Sequence, residues 1–482
     1  MRLKTTSVTP GPGACRASPV RCSRRVHGPG VPGDDAWAVT AVGQSKGVRV
    51  SGSARTTEGL RADVAGRPGT GRLDDGAVLR DWLDRAVPAL EAAQQRIDSV
   101  NVFPVPDGDT GTNVLLTVRG AAEEVAAVPA GAGDGPQVLR ALARGALLSA
   151  RGNSGVILSR YLGGLAGAAS GTLPEALRVA AQAAREAVPV PEDGTVLTVA
   201  AGVADAAREA ADAGADDASA LAAGVATGRD GLARVSATHP VLRSARVVDA
   251  GACALLVLLD VLAAALAGRA GAVDVGWLTE HARPAGPAPE VDGPERARPG
   301  GGVPAGPAAY EVVALLGTAD AVAVAGALAG ALGSAGDAVA VVPGDGLVTA
   351  HVHTPAPVGA AAVLDASGAA WTATVRALLG GVRPVVACTA SAAASASLAD
   401  AGAVVALLPA GTAPAAARDA VRRAAGDAAA GGGPVTVLPG GLLAPGDLDP
   451  SWAVVAGVVD DRAVRAATRG EPAGARTTGA RA

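Results

Sequence analysis

Asn101-Val-Phe-Pro-Val-Pro-Asp107-Gly-Asp109-Thr-Gly111-Thr-Asn113 is the stretch on which the reading of this chain turns. Two carboxylates, Asp107 and Asp109, flank Gly108, and Gly111 follows closely. Pro104 and Pro106 remove two backbone donors, so the segment cannot be a helix interior. Glycines there let the backbone come close to whatever the acids hold. Asn113 opens an apolar periodic run, which delivers the acids near a helix N-terminus. Oxygen ligands in such a place suit Mg²⁺, with phosphate oxygens completing the shell. The alternative is a plain Asp/Gly turn ahead of a helix cap, the commoner outcome for an Asp-Gly-Asp taken alone. The weight therefore falls on the rest of the chain.

With 482 residues the chain has room for about two or three domains. A net charge of -4 and an aromatic content of 2% argue against a nucleic-acid partner, since neither a basic surface nor stacking platforms are available. The only lysines are Lys4 and Lys46, so residues 47–482 contain none. A Walker-type phosphate loop and a protein-kinase core each require one, and ATP handled here is held in some other way. Cys15, Cys22, Cys253 and Cys388 lack metal-binding spacing and read as reduced thiols. No signal peptide is visible, and no apolar stretch follows the Arg24-Arg25 pair. The most apolar windows, 251–266 and 321–336, are interrupted or flanked by Asp249, Asp260, Asp320 and Asp337. They are too short to span a bilayer, so the chain is expected to be cytoplasmic and not membrane-spanning.

Composition divides the chain into a multidomain order. Residues 1–74, rich in Gly, Pro, Ser, Thr and Arg, read as a disordered tail. Over 75–267, eight helical segments are expected at 77–99, 113–128, 136–150, 155–169, 173–187, 195–213, 217–234 and 251–267, forming an all-α bundle or barrel. Residues 268–306 are a Pro/Gly-rich linker. Apolar runs at 310–316, 338–342 and 347–354, with helices near 320–333 and 357–366, make 307–383 a middle α/β domain. Runs at 385–388, 404–408 and 435–438 make 384–461 a C-terminal α/β domain, and 462–482 reads as a second disordered tail.

Three further loops start helices of the bundle: Arg151-Gly-Asn-Ser154-Gly155, Asp193-Gly-Thr195 and Asp249-Ala-Gly251. Each alone is explained by a cap and a turn. Four such loops on one rim would form a phosphate and metal pocket. In the middle domain, His351 and His353 project from the same face of a strand, which could supply two zinc ligands without a third beside them.

These four loops, in this order, resemble the nucleotide-binding L-type domain of dihydroxyacetone kinases (the DhaL, or DAK phosphatase-type, domain). The long form of that family is best understood in the ATP-binding subunit of bacterial fatty acid kinase. The resemblance implies an N-terminal eight-helix barrel followed by α/β domains, binding ATP through Mg²⁺, with two ions. By this match Asp107 and Asp109 are catalytic metal ligands. Asn101, near where the dihydroxyacetone-kinase branch carries a further aspartate, is an additional candidate. Thr110, Thr112 and Asn113 would line the phosphates, Ser154 and Gly155 would bind phosphate oxygens, Thr195 would lie near the nucleotide, and Asp249 with Gly251 would close the rim. The implied activity is phosphorylation of a fatty-acid carboxylate held by a separate fatty-acid-binding (DegV-like) partner. A glycerone kinase-type phosphotransferase and a non-catalytic nucleotide-binding regulator are the alternatives. A homodimer is neither implied nor excluded. The chain departs from the family in three places. Asp249-Ala-Gly-Ala-Cys253 replaces Asp-Ala-Gly-Gly-Gln, and Glu311 follows Tyr310 where the fatty-acid-kinase branch joins a cysteine to the histidine pair. The region 404–416 stands where a Glu-Gly-Gly-Gln-Thr stretch is expected.

Overall fold

Small and apolar residues recurring at three- and four-residue intervals make the first part of the chain helical, and side chains that hold free N–H groups mark several of the starts. The computed structural model describes residues 72–131, 134–281, 309–378, 382–429, 432–457 and 459–469. All of them belong to one compact unit, Gly66–Ala482. Its helical part comprises α1 (Gly76–Ser99), α2 (Thr110–Ala126), α3 (Gly135–Leu148), α4 (Gly152–Ala168), α5 (Leu173–Glu186), α6 (Val196–Asp212), α7 (Asp217–Ser236), the six-residue α8 (Pro240–Ala245) and α9 (Ala250–Leu266). Asp75, Thr195, Asp216 and Asp249 accept backbone N–H bonds at the starts of α1, α6, α7 and α9. α2 and α4 begin three residues earlier than periodicity places them, so the Asp-Gly-Asp and Arg-Gly-Asn-Ser-Gly stretches run into first turns.

Each long helix packs on the next, and α9 touches α1, α2, α6 and α7. α1 buries Leu79, Trp82, Leu83, Ala86, Leu90 and Ile97 along one face, and Trp82 Nε1 donates to Leu258 O of α9 at 3.0 Å. α9 is buried on nearly all sides. Its acid, Asp260, pairs with Arg229 at 2.8 Å. Among the described residues no helix is long and apolar enough to cross a membrane.

The second part is a mixed sheet flanked by helices. It consists of β1 (Tyr310–Gly317), α10 (Ala321–Ala335), β2 (Asp337–Gly344), β3 (Leu347–Thr354), α11 (Pro357–Ala366), β4 (Ala370–Ala377), β5 (Val385–Thr389), α12 (Ala392–Asp400), β6 (Val404–Leu407), α13 (Pro414–Ala429), β7 (Thr436–Leu438), β8 (Ala453–Val454) and α14 (Asp461–Thr468). The strands lie in the order β2-β3-β1-β4-β6-β5-β7-β8 in one eight-stranded sheet. β1 pairs antiparallel with both β3 and β4, and β4 pairs antiparallel with β6. β5 runs parallel to β6 and β7. The boundary expected at 383 therefore falls inside a continuous sheet, because β6 covers the edge that β4 would otherwise expose.

Elements also occur where the sequence reading places tails and linker. α14 enters the 462–482 stretch, capped by Asp460 and anchored by the buried Val464. Within 268–306, Gly276–Glu280 forms a 3-10 turn with Leu278 buried, and the Arg229 guanidinium stands 4.7 Å from the Trp277 ring. Residues 1–71 and 470–482 of the expected tails, and linker residues 282–306, lie outside the described residues.

The two faces of the sheet are built differently. Val312, Ala314, Leu316, Val348, Ala350, Val352, Ala373 and Val375 join one apolar core with α10, α11 and α12. The opposite face, carrying Glu311, Thr349, His351, His353, Thr372, Thr374 and Arg376, is buried but polar. Part of it meets the helical unit: Val341 N donates to Ala187 O at 3.1 Å, and Thr349 Oγ1 to Leu147 O at 3.0 Å. Ala340 and Val342 pack with Leu147, Ala150, Val156 and Ala187.

Candidate functional site where helices meet the sheet

Asp109 occupies the N-cap position of α2 but makes no capping hydrogen bond. Asp98, in the last turn of α1, does that work instead. Its carboxylate accepts from Gly111 N at 2.6 Å, Thr112 N at 3.2 Å and Thr112 Oγ1 at 3.1 Å. Capping from a neighbouring helix leaves the Asp109 carboxylate free for another purpose. Gly108 takes φ 67°, a left-handed conformation that glycine tolerates, and so sets the two acids on either side of a tight bend. Asn101 Nδ2 donates to Asp107 Oδ1 at 2.7 Å, and Thr110 Oγ1 donates to Asn101 Oδ1 at 3.0 Å. Thr110 Oγ1 also lies 3.4 Å from Ser154 Oγ, which joins this loop to the start of α4.

The remaining groups come from the sheet. Antiparallel register sets Glu311 of β1 directly opposite His353 of β3 and Arg376 of β4. Arg376 Nε donates to Glu311 Oε2 in a close ion pair, and its Nη2 donates to Asp109 Oδ2 in another. Asp107 Oδ2 lies 3.5 Å from the same Nη2. Glu311 Oε1 meets His351 Nε2 at 3.0 Å and lies 3.9 Å from His353 Nε2. His351 Nδ1 is 2.8 Å from Ala338 O, which fixes the ring. Gly152, at φ 57°, closes the arrangement: a side chain there would overlap Asn113 and approach Glu311.

Electrostatics follow from burial and this surplus of acid. Burial, and then the charge of Asp109, push the Asp107 carboxyl up to about 8, against the pull of Arg376. Burial works to raise Glu311 as well, but Arg376 and the two histidines outweigh it and hold Glu311 well below the carboxylate range. For Arg376, burial opposes the charge, and Glu311 with Asp109 drives it well above its ordinary value. Three carboxylates around one guanidinium leave room for further positive charge.

Behind Thr110 opens a cavity of about 710 Å³. Its lining includes Thr110, Ser154, Thr195, Asp249 and Gly251 from the four loops, apolar groups such as Phe103, Ile157, Leu197 and Leu255, and Gly336–Val339 (residues 336–339) at the start of β2. Asn153 Oδ1, Tyr161 OH and His239 Nδ1 belong to lining residues and are buried without hydrogen-bond partners among the described residues. The His239 ring lies tilted against Phe103, with centroids 4.3 Å apart and planes at 58°, while its Nε2 meets Glu192 at 2.8 Å. Burial raises the Asp249 carboxyl to about 6.

The residues singled out from sequence thus divide. Asn101, Asp107, Asp109, Thr110 and Ser154 come together, and of these Thr110 and Ser154 line the cavity. Thr195 and Asp249 line the cavity but also act as caps, accepting from Leu197 N at 3.4 Å and Ala252 N at 2.8 Å. Thr112, Asn113 and Gly155 fall outside the lining. Thr112 Oγ1 is taken by Gln94 and Asp98, and Gly155 N donates within its helix to Arg151 O at 2.8 Å. A side chain at Gly155 would strike Thr117, so α4 packs closely on α2 there.

His351 and His353 gain the third neighbour that the sequence reading did not find. Ligand atoms of Glu311, His351 and His353 lie within 4.8 Å of one another. Nitrogen and oxygen donors of this kind suit zinc, although Glu311 is shared with Arg376. Sequence reasoning missed Asp98, Arg376 and the part played by Glu311. The signal for Glu311 was its place after Tyr310, where the resembled branch carries a cysteine. Arg376 sits in a Trp-Thr-Ala-Thr-Val run of strand formers.

The helical unit carries the similarity to known proteins: residues 104–264 match the family model described as the DAK2 domain. Among curated proteins, Protein YloV of Bacillus subtilis (strain 168) is 35% identical over 205 residues, 41% of this chain and 36% of that protein. An uncharacterized protein of Staphylococcus epidermidis is 32% identical over 194 residues, 39% of this chain and 35% of that one. One from Staphylococcus aureus (strain USA300) is 33% identical over 202 residues, 40% of this chain and 36% of its own length. The match to these relatives therefore spans little more than a third of their length.

Proposed function

We propose that the protein is a cytoplasmic, ATP- and Mg²⁺-dependent phosphotransferase whose acceptor is a fatty-acid carboxylate held by a separate lipid-binding protein. The observation that carries the reading is the pair Asp107 and Asp109, with α2 capped by Asp98 in place of Asp109, linked through Asn101, Thr110 and Ser154 to a cavity with unpartnered polar groups. The donor set fits a hard cation, since hard oxygen ligands are what Mg²⁺ takes. The cavity fits a nucleoside, with apolar walls for a base and Asn153, Tyr161 and His239 left to satisfy its polar edge. Asp107 and Asp109 would hold Mg²⁺, which would supply the charge neutralisation that a lysine gives elsewhere.

Asn101 orients Asp107, Asp98 orients the first turn of α2, and Thr110 with Ser154 offers hydroxyls to phosphate oxygens. In the transfer, a carboxylate oxygen of the acceptor bonds to the γ-phosphorus. The bond from that phosphorus to the β–γ bridging oxygen breaks, and its electron pair leaves with ADP. A carboxylate is already ionised at neutral pH, so no general base is required. The eight-helix barrel of the resembled family and a docked DegV-like partner belong to this proposal. Labelled ATP, Mg²⁺ and an acyl-loaded partner should give acyl phosphate. Asp109→Asn should lower kcat/KM by about a hundredfold or more; wild-type turnover in Asp107→Asn plus Asp109→Asn would overturn the site.

A further inference from the structure

We propose that Arg376 is a catalytic residue lent by the sheet to the helical site. Its guanidinium fills the place of a cation between Asp109 and Glu311. With nucleotide bound, its Asp109 end turns to the oxygens of the phosphoryl group in transfer. The inference rests on the phosphotransferase reading and adds to it a residue from outside the matched domain.

Four observations carry it. The two ends of the guanidinium are held by different units: Nε by Glu311 on the neighbouring strand, Nη2 by Asp109 on the helical loop. The Glu311 contact can persist as a pivot while Asp109 is exchanged for another oxyanion. Second, carboxylate and phosphate present the same acceptor geometry to a guanidinium fork, so the exchange needs no new donor. Third, with no lysine after Lys46, arginine must supply the side-chain cation. The other buried arginine beside these loops, Arg151, is committed to Asp427, Ala150 O and Arg423 O. Fourth, Asp107 and Asp109 stand outside the cavity lining while Thr110 is in it. Arg376 Nη2 occupies Asp109 Oδ2 and lies 3.5 Å from Asp107 Oδ2, and a cation arriving with nucleotide competes with it for Asp109 Oδ2.

Competition and catalysis predict opposite signs in one variant. Mg²⁺ alone is titrated calorimetrically into the nucleotide-free full chain, and phosphoryl transfer is measured separately. In Arg376→Gln, Mg²⁺ should bind about tenfold or more tightly, because a competing positive charge is gone. In the same variant kcat should fall by about a hundredfold or more, with the KM for ATP changed far less. Arg376→Lys should restore part of kcat. Arg376→Gln combined with Glu311→Gln, which removes one charge of each sign, checks that the loss is not one of folding: its melting temperature should stay near that of the wild type while kcat stays low.

Unchanged Mg²⁺ affinity in Arg376→Gln would overturn the competition, and undiminished kcat would overturn the catalytic role. Parallel loss of metal binding, turnover and melting temperature would make Arg376 a structural prop and sink the proposal. Should the wild type bind Mg²⁺ yet transfer no phosphate, the phosphotransferase reading fails, and the catalytic half of the proposal with it. The metal titration still decides the counter-ion half.

Discussion

Two buried arginines cross between the helical unit and the sheet, in opposite directions and in opposite company. Arg151, from the loop that starts α4, reaches Asp427 of α13 in a close pair, and a second guanidinium, Arg423, lies beside it on Thr372. Arg376, from β4, reaches back to three carboxylates. The first crossing holds at least as much positive as negative charge; the second has acid in excess. A closed ion pair in a low-dielectric seam fixes two surfaces together. A seam left short of positive charge is built to receive some. The burial is alike in the two places, and the ratio of charges separates fastening from binding.

That contrast can be broken in three ways. The largest effect is expected at the fastening. Arg151→Met leaves Asp427 buried without its hydrogen-bonded partner, with only Arg376 and Arg423 as further counter-charges, and should destabilise the protein by about 3 kcal/mol or more in urea unfolding. Arg151→Met with Asp427→Leu should recover most of it, and added Mg²⁺ should change neither variant more than the wild type.

Asp249 provides a buried carboxyl with no guanidinium at all. It faces His239, and its own N donates to Ser236 Oγ at 3.0 Å. Its folded value of about 6 lies above the unfolded one. Folding therefore favours the protonated form, and the contribution, present below about pH 4, is lost as pH rises through about 6. Asp249→Asn keeps an acceptor for Ala252 N. Relative to wild type it should gain about 2–3 kcal/mol between pH 4 and pH 7, and equal pH dependence in the two proteins would refute the assignment.

The smallest effect tests the binding seam. Mg²⁺ at a tenfold excess over its dissociation constant should stabilise the nucleotide-free protein by about 1.4 kcal/mol. Asp109→Asn should lose that gain, whereas Arg376→Gln should reach it at lower metal concentration.

How much of this was legible in the sequence depended on distance along the chain. The long helices were read to within a few residues because their periodicity and caps are local. The Asp-Gly-Asp loop was legible because two prolines and two glycines restrict it in place. β4 was passed over although Trp371, Thr372, Thr374 and Val375 favour strands, because neighbouring Ala and Gly blur the run. Arg376 could not be matched to Asp109, 267 residues away, without knowing that β4 lies next to β1. The same applies to Asp98: as a residue near a helix end it looks ordinary, and only the packing of α1 on α2 makes it the cap that releases Asp109.

β4 is hydrogen-bonded along both edges, to β1 and to β6. A strand held on two sides does not slide or fray alone, and the amides of β1–β4 pairing should be among the slowest in the sheet to exchange with deuterium. Any hand-over by Arg376 must then be made by rotation about its own side-chain bonds, over a backbone that stays still. A push applied at the far strands would travel through the β4–β6 ladder as through a beam, arriving at Asp109 as a change in where the arginine is rooted.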